Sequence, residues 1–242
     1  MDSGSRRHAS PSLVWAGVVT SVFAALLWWI KVFETSFGWN LGGLGVYPLS
    51  SAGLIGILTA PLIHGSWEHL IANTLPLLLL GTALIYGYPK SRWWTLAVIW
   101  IVSGTGVWLL GRQSFHIGAS GITHGMMFFL FISGIIRRDK RSIALSMLAF
   151  FMYGGMLMTI FPRDPGISFE YHFFGAVGGV LCAMLFRRWD PKPVRKMYSW
   201  DREPEDHEDP LIGELWKKKP GDYEMLEPKP DIELIRRDER KE

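Results

Sequence analysis

The sequence predicts an all-α polytopic membrane protein with six transmembrane helices. Of its 242 residues, 49% are hydrophobic and 12 are tryptophan, which favours a membrane protein over a single soluble domain. The apolar residues gather into long uncharged runs, whereas the charges gather near the end of the chain. Residues 1–186 carry 11 Lys/Arg and 6 Asp/Glu, and residues 187–242 carry 14 and 16. We therefore expect an apolar body followed by a charged tail.

Six runs supply the predicted spans. Five have about the 17–25 residues that a helix needs to cross a bilayer, and they are 13–30, 70–88, 93–111, 117–136 and 142–161. The sixth, 171–186, is shorter, but its helix can begin earlier, in the neutral stretch after Asp164 and Pro165. The first run follows Arg6 and Arg7 as a signal peptide would. Its apolar core is long and no cleavage pattern follows, so it is predicted to be an uncleaved anchor.

The charges in the short loops predict the orientation, because Lys and Arg accumulate on the cytoplasmic side. In a six-span arrangement one side receives Arg6, Arg7, Lys90, Arg92, Arg137, Arg138, Lys140, Arg141, Arg187 and Arg188. The opposite loops receive only Lys31, Arg112 and Arg163. Both termini are therefore predicted to be cytoplasmic, and spans two, four and six begin at the outer face.

The stretch between Glu34 and Glu68 is uncharged and rich in glycine. We interpret it as a large first outer loop that lies in or partly enters the outer leaflet, where its backbone must be buried or satisfied by short helices. An ordinary solvated loop is the alternative.

The chain divides into three predicted parts. Residues 1–12 are predicted to be a cytoplasmic segment, 13–186 the membrane domain, and 187–242 a flexible cytoplasmic tail, since the tail holds seven prolines among alternating charges. Cys182 lies in an apolar run and is interpreted as structural.

Four polar residues are predicted to lie at one depth near the outer face. Ser120 stands in a Gly-Ala-Ser-Gly segment at the outer end of span four, and His172 stands at the outer end of span six. His69 and Asn73 are one helical turn apart in span two. Polar groups inside membrane spans are costly and are candidates for function. A serine, a histidine base and two donors in one layer are suited to nucleophilic attack on an amide.

Glycines predict which spans meet. A serine can attack only if a base lies within hydrogen-bond reach, so spans four and six must approach closely. Gly121 and Gly125 on span four, and Gly175 and Gly179 on span six, have the four-residue spacing that permits close helix packing. Such pairs occur in many membrane bundles and are weak signals when taken one at a time.

Together these residues resemble the rhomboid family. The matching pieces are the His-Gly-Ser-Trp-Glu-His segment at 64–69, Asn73, the Gly-x-Ser-Gly at 118–121, and His172 followed by Gly175. The resemblance covers about residues 13–186 and implies a six-span intramembrane serine protease without the usual aspartate. It implies that Ser120 and His172 form a catalytic dyad, and that His69, Asn73 and the Ser120 N–H bind the oxyanion. His64 matches an outer-loop histidine of structural role.

The sequence departs from the family pattern at three places. The Trp-Arg pair common in the first outer loop is missing between Glu34 and His69, and Phe169 replaces a frequent Trp. Family members usually have a Tyr or Phe four residues after the nucleophile, and its ring stacks on the catalytic imidazole. In this sequence that position is His124. We expect His124 to stack on His172; the alternative is that His124 is itself the base. His116 and Gln113 are interpreted as surface residues of a short loop.

The resemblance implies a multi-pass protein of the inner or plasma membrane that cleaves transmembrane segments of other proteins near the outer face. Its partners would be those substrates and the lipid bilayer, with no nucleic acid, cofactor or metal, and the oligomeric state stays open. One alternative is a rhomboid-like scaffold that binds membrane clients without cutting them. A solute transporter is another, but it would need polar residues nearer the midplane, and Pro76 is the only notable helix breaker in span two.

Overall fold

The computed structural model describes residues 12–162 and 166–193, and these form helices and loops without a β-strand. The α-helices are α1 (Leu13–Ser36), α2 (Gly56–Thr59), α3 (Trp67–Gly87), α4 (Arg92–Leu110), α5 (Ser120–Arg137), α6 (Lys140–Tyr153) and α7 (Phe169–Leu185). Short 3-10 helices cover Leu41–Leu44, Ala52–Leu54, Ala60–Leu62 and Gly154–Ile160. Residues 1–11, 163–165 and 194–242 lie outside the described part, so the predictions for the N-terminal segment, for Arg163 and for most of the tail are not addressed by it.

Within the described residues, five helical segments are long and apolar enough to cross a membrane, and they are Leu13–Ser36, Trp67–Gly87, Arg92–Leu110, Ser120–Arg137 and Lys140–Ile160. The predicted all-helical membrane architecture is therefore confirmed. The sixth predicted span corresponds to α7, which has 17 residues and is shorter than the other five. The count of six spans, and with it the orientation, stays a prediction.

Helix α1 continues beyond the predicted first span. We expected the span to end at residue 30 and Lys31 to lie in the outer loop, but α1 runs on to Ser36 and includes both Lys31 and Glu34. The two side chains form an ion pair of 2.8 Å between Lys31 Nζ and Glu34 Oε2. The pairing lets both charged side chains stay buried, since each charge has a partner.

Serine residues cap the start of the two helices that carry His69, a predicted oxyanion donor, and His172, the predicted base. At the start of α3, the Ser66 hydroxyl accepts a hydrogen bond from His69 N at 3.2 Å. At the start of α7, the Ser168 hydroxyl accepts one from Tyr171 N at 3.3 Å. Such caps satisfy backbone N–H groups that have no partner inside the helix. They fix the first turns of α3 and α7, where His69 and His172 lie.

Helices α5 and α7 touch backbone to backbone. A Cβ added at Gly175 would lie 2.1 Å from the Gly121 carbonyl oxygen, and one added at Gly179 would lie 2.1 Å from the Gly125 carbonyl oxygen. No side chain fits at either distance, so only glycine permits this approach. The four glycines therefore bring the start of α5, with Ser120, next to the start of α7, with His172.

The segment between α1 and α3 is built from short helices that pack on one another and on α4. Gly56 lies against the backbone of Gly45, because an added Cβ would come within 2.2 Å of the Gly45 carbonyl carbon. The indole N–H groups of Trp100 and Trp108 on α4 donate to Ile57 O at 3.1 Å and to Ser50 O at 2.9 Å. Turns within the loop and these two indole groups thus satisfy part of its backbone; its depth in a membrane stays a prediction.

The residues just after α7 are packed against the opposite end of the bundle from Ser120. The Asp190 carboxylate, on a residue that is 4% exposed, accepts from Lys90 N and from Ser91 Oγ, each at 2.6 Å. The guanidinium of Arg137, at the end of α5, donates to Asp190 O at 3.1 Å and to Arg187 O at 3.0 Å. The start of the predicted tail is therefore in contact with the helices.

Candidate active site

Five predicted site residues line one cavity of about 790 Å³: the proposed dyad Ser120 and His172, the proposed oxyanion donors His69 and Asn73, and the proposed stacking residue His124. They come from α3, α5 and α7, which are separated along the chain by up to about a hundred residues. The cavity is also lined by the loop before α5 and by the 3-10 helix that extends α6. Within the described part of the chain, no cluster of His, Cys, Asp and Glu side chains could hold a metal ion.

Ser120 is the first residue of α5 and is held there by the two residues before it. Gly118 has a φ of +112°, a conformation that favours glycine, and its N–H donates to Ala60 O at 2.9 Å. The Ala119 N–H donates to His64 Nε2 at 3.3 Å. Because Ser120 begins the helix, its N–H belongs to the first turn, where backbone donors lack a partner inside the helix. The local backbone thus holds Ser120 at the cavity, with an N–H that has no acceptor inside the helix.

His64 is buried beneath this loop. Its side chain is 1% exposed, and burial lowers its pKa to about 3, with smaller contributions from His69 and Lys31. The ring is therefore neutral near pH 7. A neutral ring has one unprotonated nitrogen, and Nε2 is that nitrogen because it accepts from Ala119 N–H.

His172 is oriented by a backbone carbonyl. Its Nδ1 lies 3.0 Å from Thr159 O. A carbonyl oxygen can only accept, so Nδ1 carries the hydrogen and the neutral ring keeps its lone pair on Nε2. That tautomer can take a proton at Nε2. No hydrogen bond joins the Ser120 hydroxyl to the His172 ring within the described residues, although both side chains line the cavity.

His124 stacks on His172. The ring centroids are 3.9 Å apart and the planes differ by 11°. Both nitrogens of His124 have other contacts, since Nδ1 donates to Ser120 O at 2.7 Å and Nε2 lies 2.8 Å from Thr159 Oγ1. A ring with both nitrogens engaged is poorly placed to accept a proton from serine. This geometry favours the stacking interpretation over His124 as the base.

His69 and Asn73 lie beside the Ser120 loop. A Cβ added at Gly118 would lie 2.6 Å from His69 Nε2, so the imidazole sits directly against that glycine. Asn73 Nδ2 donates one hydrogen to His69 O at 3.0 Å, which leaves the second amide hydrogen for another acceptor. Both residues line the cavity and carry N–H groups that could bind an anion there.

The prediction that His116 is a surface residue is wrong. His116 is 1% exposed and lines the cavity; its Nδ1 contacts Ser168 Oγ and its Nε2 lies 3.0 Å from Arg112 O. Burial lowers its pKa. It is enclosed because its backbone pairs with Val46 of the first outer loop, a pairing that the sequence does not signal. Gln113 is exposed, as expected.

Thr159 is a site residue that sequence reasoning missed. It lies in the 3-10 helix Gly154–Ile160, and it contacts both stacked imidazoles, one through its carbonyl and the other through its hydroxyl. In the sequence it is one neutral residue within an apolar run, and a backbone carbonyl gives no residue-type signal. Only the fold could reveal it.

The family model described as Rhomboid domain matches residues 51–189, which is more than half of the chain. The chain belongs to the rhomboid family. It is thus an integral, multi-pass membrane protein of a family whose members are generally intramembrane serine proteases.

Relatives of this rhomboid protein occur in bacteria. An uncharacterized protein of Mycobacterium tuberculosis (strain ATCC 25618 / H37Rv) is 37% identical over 184 residues, covering 72% of this chain and 77% of the relative. An uncharacterized protein of Mycobacterium leprae (strain TN) is 35% identical over 178 residues, 70% of each chain. A protein of Bacillus subtilis (strain 168) named "Putative rhomboid protease YdcA" is 24% identical over 184 residues, 73% of this rhomboid chain and 84% of the relative.

Proposed function

We propose that this rhomboid protein is a serine endopeptidase that cleaves transmembrane segments of other membrane proteins near the outer face of the membrane. The observation that supports the proposal most strongly is the shared cavity, which is lined by Ser120, His172, His69 and Asn73. A hydroxyl nucleophile, an imidazole and two side-chain donors around one space are the groups that acyl transfer from an amide requires.

In the proposed reaction, Ser120 Oγ attacks the scissile carbonyl carbon while its proton passes to His172 Nε2. Collapse of the tetrahedral intermediate breaks the C–N bond, and the leaving amine takes that proton from His172. A water molecule then hydrolyses the ester on Ser120, with His172 again accepting and returning a proton. The Thr159 carbonyl supports this role because its bond to Nδ1 keeps the lone pair on Nε2. Catalytic hydrogen bonds often tighten only when substrate binds. The lack of a hydrogen bond between the Ser120 hydroxyl and the His172 ring within the described residues is therefore compatible with the dyad.

The oxyanion would be bound by His69, Asn73 and the Ser120 N–H. Losing one such donor commonly raises the barrier by about 3–4 kcal/mol. The proximity of the His69 ring to Gly118 supports this assignment, since a side chain at residue 118 would collide with the imidazole. Glycine at this position leaves room for a donor next to the nucleophile.

The proposal includes the six-span topology with both termini cytoplasmic. In that orientation Ser120, His69 and His172 all lie in the first turn of helices that begin at the outer face, so water and substrate would meet near that surface. A substrate helix must open backbone hydrogen bonds to expose its scissile amide. Segments with small or helix-breaking residues near the outer face are therefore the expected substrates.

The decisive experiment compares the wild type with Ser120→Ala in proteoliposomes that contain a model transmembrane substrate. We expect the wild type to cleave and Ser120→Ala to be inactive while remaining folded. Ser133→Ala is the matched control, because Ser133 is a buried serine on the same helix and does not line the cavity. It should keep activity within a few-fold of wild type.

A fluorophosphonate probe provides a second, independent readout. It should label Ser120 in the wild type and leave Ser120→Ala unlabelled, as checked by peptide mass spectrometry. Activity that persists in folded Ser120→Ala would disprove the nucleophile assignment. A wild type that binds the substrate stably but never cleaves it would instead support the client-binding scaffold.

A further inference from the structure

Helix α1 ends with a buried ion pair outside the cavity wall. Lys31 and Glu34 are 9% and 8% exposed, and Lys31 Nζ lies 2.8 Å from Glu34 Oε2. Charges enclosed by protein in a membrane segment are costly and often mark function. The proposed reaction uses neither residue.

The pair joins the two ends of the first outer loop. Lys31 Nζ also donates to His64 O at 2.9 Å and to Gly65 O at 3.4 Å, so each of its three hydrogens has an acceptor. Glu34 Oε1 accepts from Leu41 N at 3.1 Å. Leu41 lies near the start of the loop, whereas His64 and Gly65 lie at its end, just before α3. The ammonium therefore clamps the last residues of the loop onto α1.

His64 in turn contacts the loop that precedes Ser120, residues 118–119. Its ring accepts from Ala119 N–H at 3.3 Å, one residue before Ser120. The same ring meets the His69 imidazole edge to face, with 5.0 Å between centroids. A shift of the His64 backbone would thus move the support of Ser120 and a proposed oxyanion donor together.

We propose that Lys31 is a positioning residue, which holds the His64–Gly65 backbone and through the His64 ring fixes the loop that presents Ser120. Glu34 orients and neutralises the ammonium. The inference rests on the proposed proteolytic function for its kinetic consequences. Its structural consequence, the immobilisation of residues 118–120 by Lys31, can be measured without any activity.

The test uses the full chain in proteoliposomes, with kcat normalised to sites titrated by a fluorophosphonate. Lys31→Met should lower kcat by about 10- to 100-fold, the usual effect of losing hydrogen bonds from a charged donor, with KM changed less than about threefold. Lys31→Arg keeps a buried cation with several donors and should recover most of the loss. Thr20→Val is the control, because it removes a buried contact between α1 and α3, the 2.9 Å bond to Thr82, away from the cavity. It should leave kcat unchanged.

The double variant Lys31→Met/Glu34→Gln separates positioning from simple charge neutralisation. It leaves no unpaired charge, so it should fold even where Lys31→Met alone does not, yet the two carbonyls still lack their donor. We expect its kcat to stay low. Recovery to the wild-type kcat would overturn the proposal, as would an unchanged kcat per titrated site in Lys31→Met accompanied only by a lower melting temperature.

The route through His64 is tested by a double-mutant cycle with His64→Leu. If Lys31 acts through the ring, the losses in kcat of Lys31→Met and His64→Leu should not multiply. Multiplicative losses would overturn the route.

Hydrogen exchange provides a test that needs no activity. Amide hydrogen exchange of a peptide covering residues 118–120 should become at least about tenfold faster in Lys31→Met but not in Thr20→Val. If exchange in Lys31→Met were unchanged, the proposal would be overturned, whether or not the wild type is active. If exchange in Lys31→Met were faster but the wild type inactive, only the proteolytic function would be contradicted.

Discussion

The imidazole rings of His124 and His172 lie parallel, with 3.9 Å between their centroids. His124 follows Ser120 by one turn of α5, whereas His172 lies on α7, so the stack connects the two helices that touch at glycine. The two rings differ in how many of their nitrogens have a hydrogen-bond partner. His124 uses both in contacts with Ser120 O and Thr159, and within the described residues His172 uses only Nδ1.

We therefore predict that His124→Phe keeps cleavage activity within about tenfold of wild type, while His172→Phe lowers it by at least about a hundredfold, the range expected for losing a general base. A phenyl ring can preserve the stack but not accept a proton. Steady-state cleavage of a model transmembrane substrate by both variants provides the measurement. If His124→Phe were the more damaging change, the base would be assigned to the wrong histidine.

Thr159 is predicted to position both rings. Thr159→Val keeps the carbonyl that orients His172 but removes the hydroxyl that contacts His124 Nε2. We expect kcat to fall about three- to tenfold, in line with one lost hydrogen bond, with KM little changed. Thr159→Ser retains the hydroxyl and serves as the control, since it should restore most of the activity. Equal losses in the serine and valine variants would show that the hydroxyl has no such role.

The sequence predicted helices well where apolar runs and their flanking charges agree. The run 93–111 corresponds to α4, Arg92–Leu110, and the run 70–88 to α3, Trp67–Gly87. The run 117–136 started too early, because Gly118 has a positive φ and delays α5 until Ser120. The predicted first span ends too early for another reason: a lysine after an apolar run favours a loop, although here the partner of Lys31, Glu34, lies one turn later on the same helix.

The site was predictable only where residue type carries the chemistry. Ser120 and His172 are predicted because polar groups in membrane spans are costly and both residues stand at the outer ends of their spans, and both line one cavity. Thr159 acts through its carbonyl, and no pattern of residue types encodes such a partner. The family resemblance implies a structural role for His64, but it does not reveal that the His64 ring accepts from Ala119 N–H. His116 was misassigned since its burial depends on a long-range pairing with Val46. These contacts require the fold.

The glycine contact between α5 and α7 should tolerate no side chain. Gly175→Ala places a Cβ 2.1 Å from the Gly121 carbonyl oxygen, so the helices must separate. Overpacking of this kind typically costs about 1–3 kcal/mol, and the separation would also move His172 away from Ser120. We expect a lower melting temperature in detergent together with a large loss of activity.

Gly17→Ala is the control for this prediction. Gly17 also lies in a helix, but nothing is within 4 Å of an added Cβ. Its melting temperature and activity should match those of the wild type. If Gly175→Ala behaved like Gly17→Ala, close backbone contact between α5 and α7 would not be required.

The last prediction concerns the end of the chain. Deleting residues 197–242 should leave cleavage of a model substrate within a few-fold of wild type, because the family match ends at residue 189 and the candidate site is built from residues before that point. Deleting residues 187–242 also removes Arg187 and Asp190, which accept hydrogen bonds from Arg137, Lys90 and Ser91. Hydrogen bonds that involve charged groups contribute on the order of 1.5–3 kcal/mol each, so this longer deletion should destabilise the bundle.

Melting temperature and activity of the two truncations in the same detergent separate these effects. The shorter truncation should melt like the full chain, and the longer one should melt lower and lose activity in proportion to its loss of folded protein. Arg137 matters here because it ends α5, the helix that begins with Ser120, so loss of its carbonyl acceptors at 187 and 190 loosens the far end of that helix. Inactivity of a well-folded 1–196 protein would instead make the tail part of the enzyme.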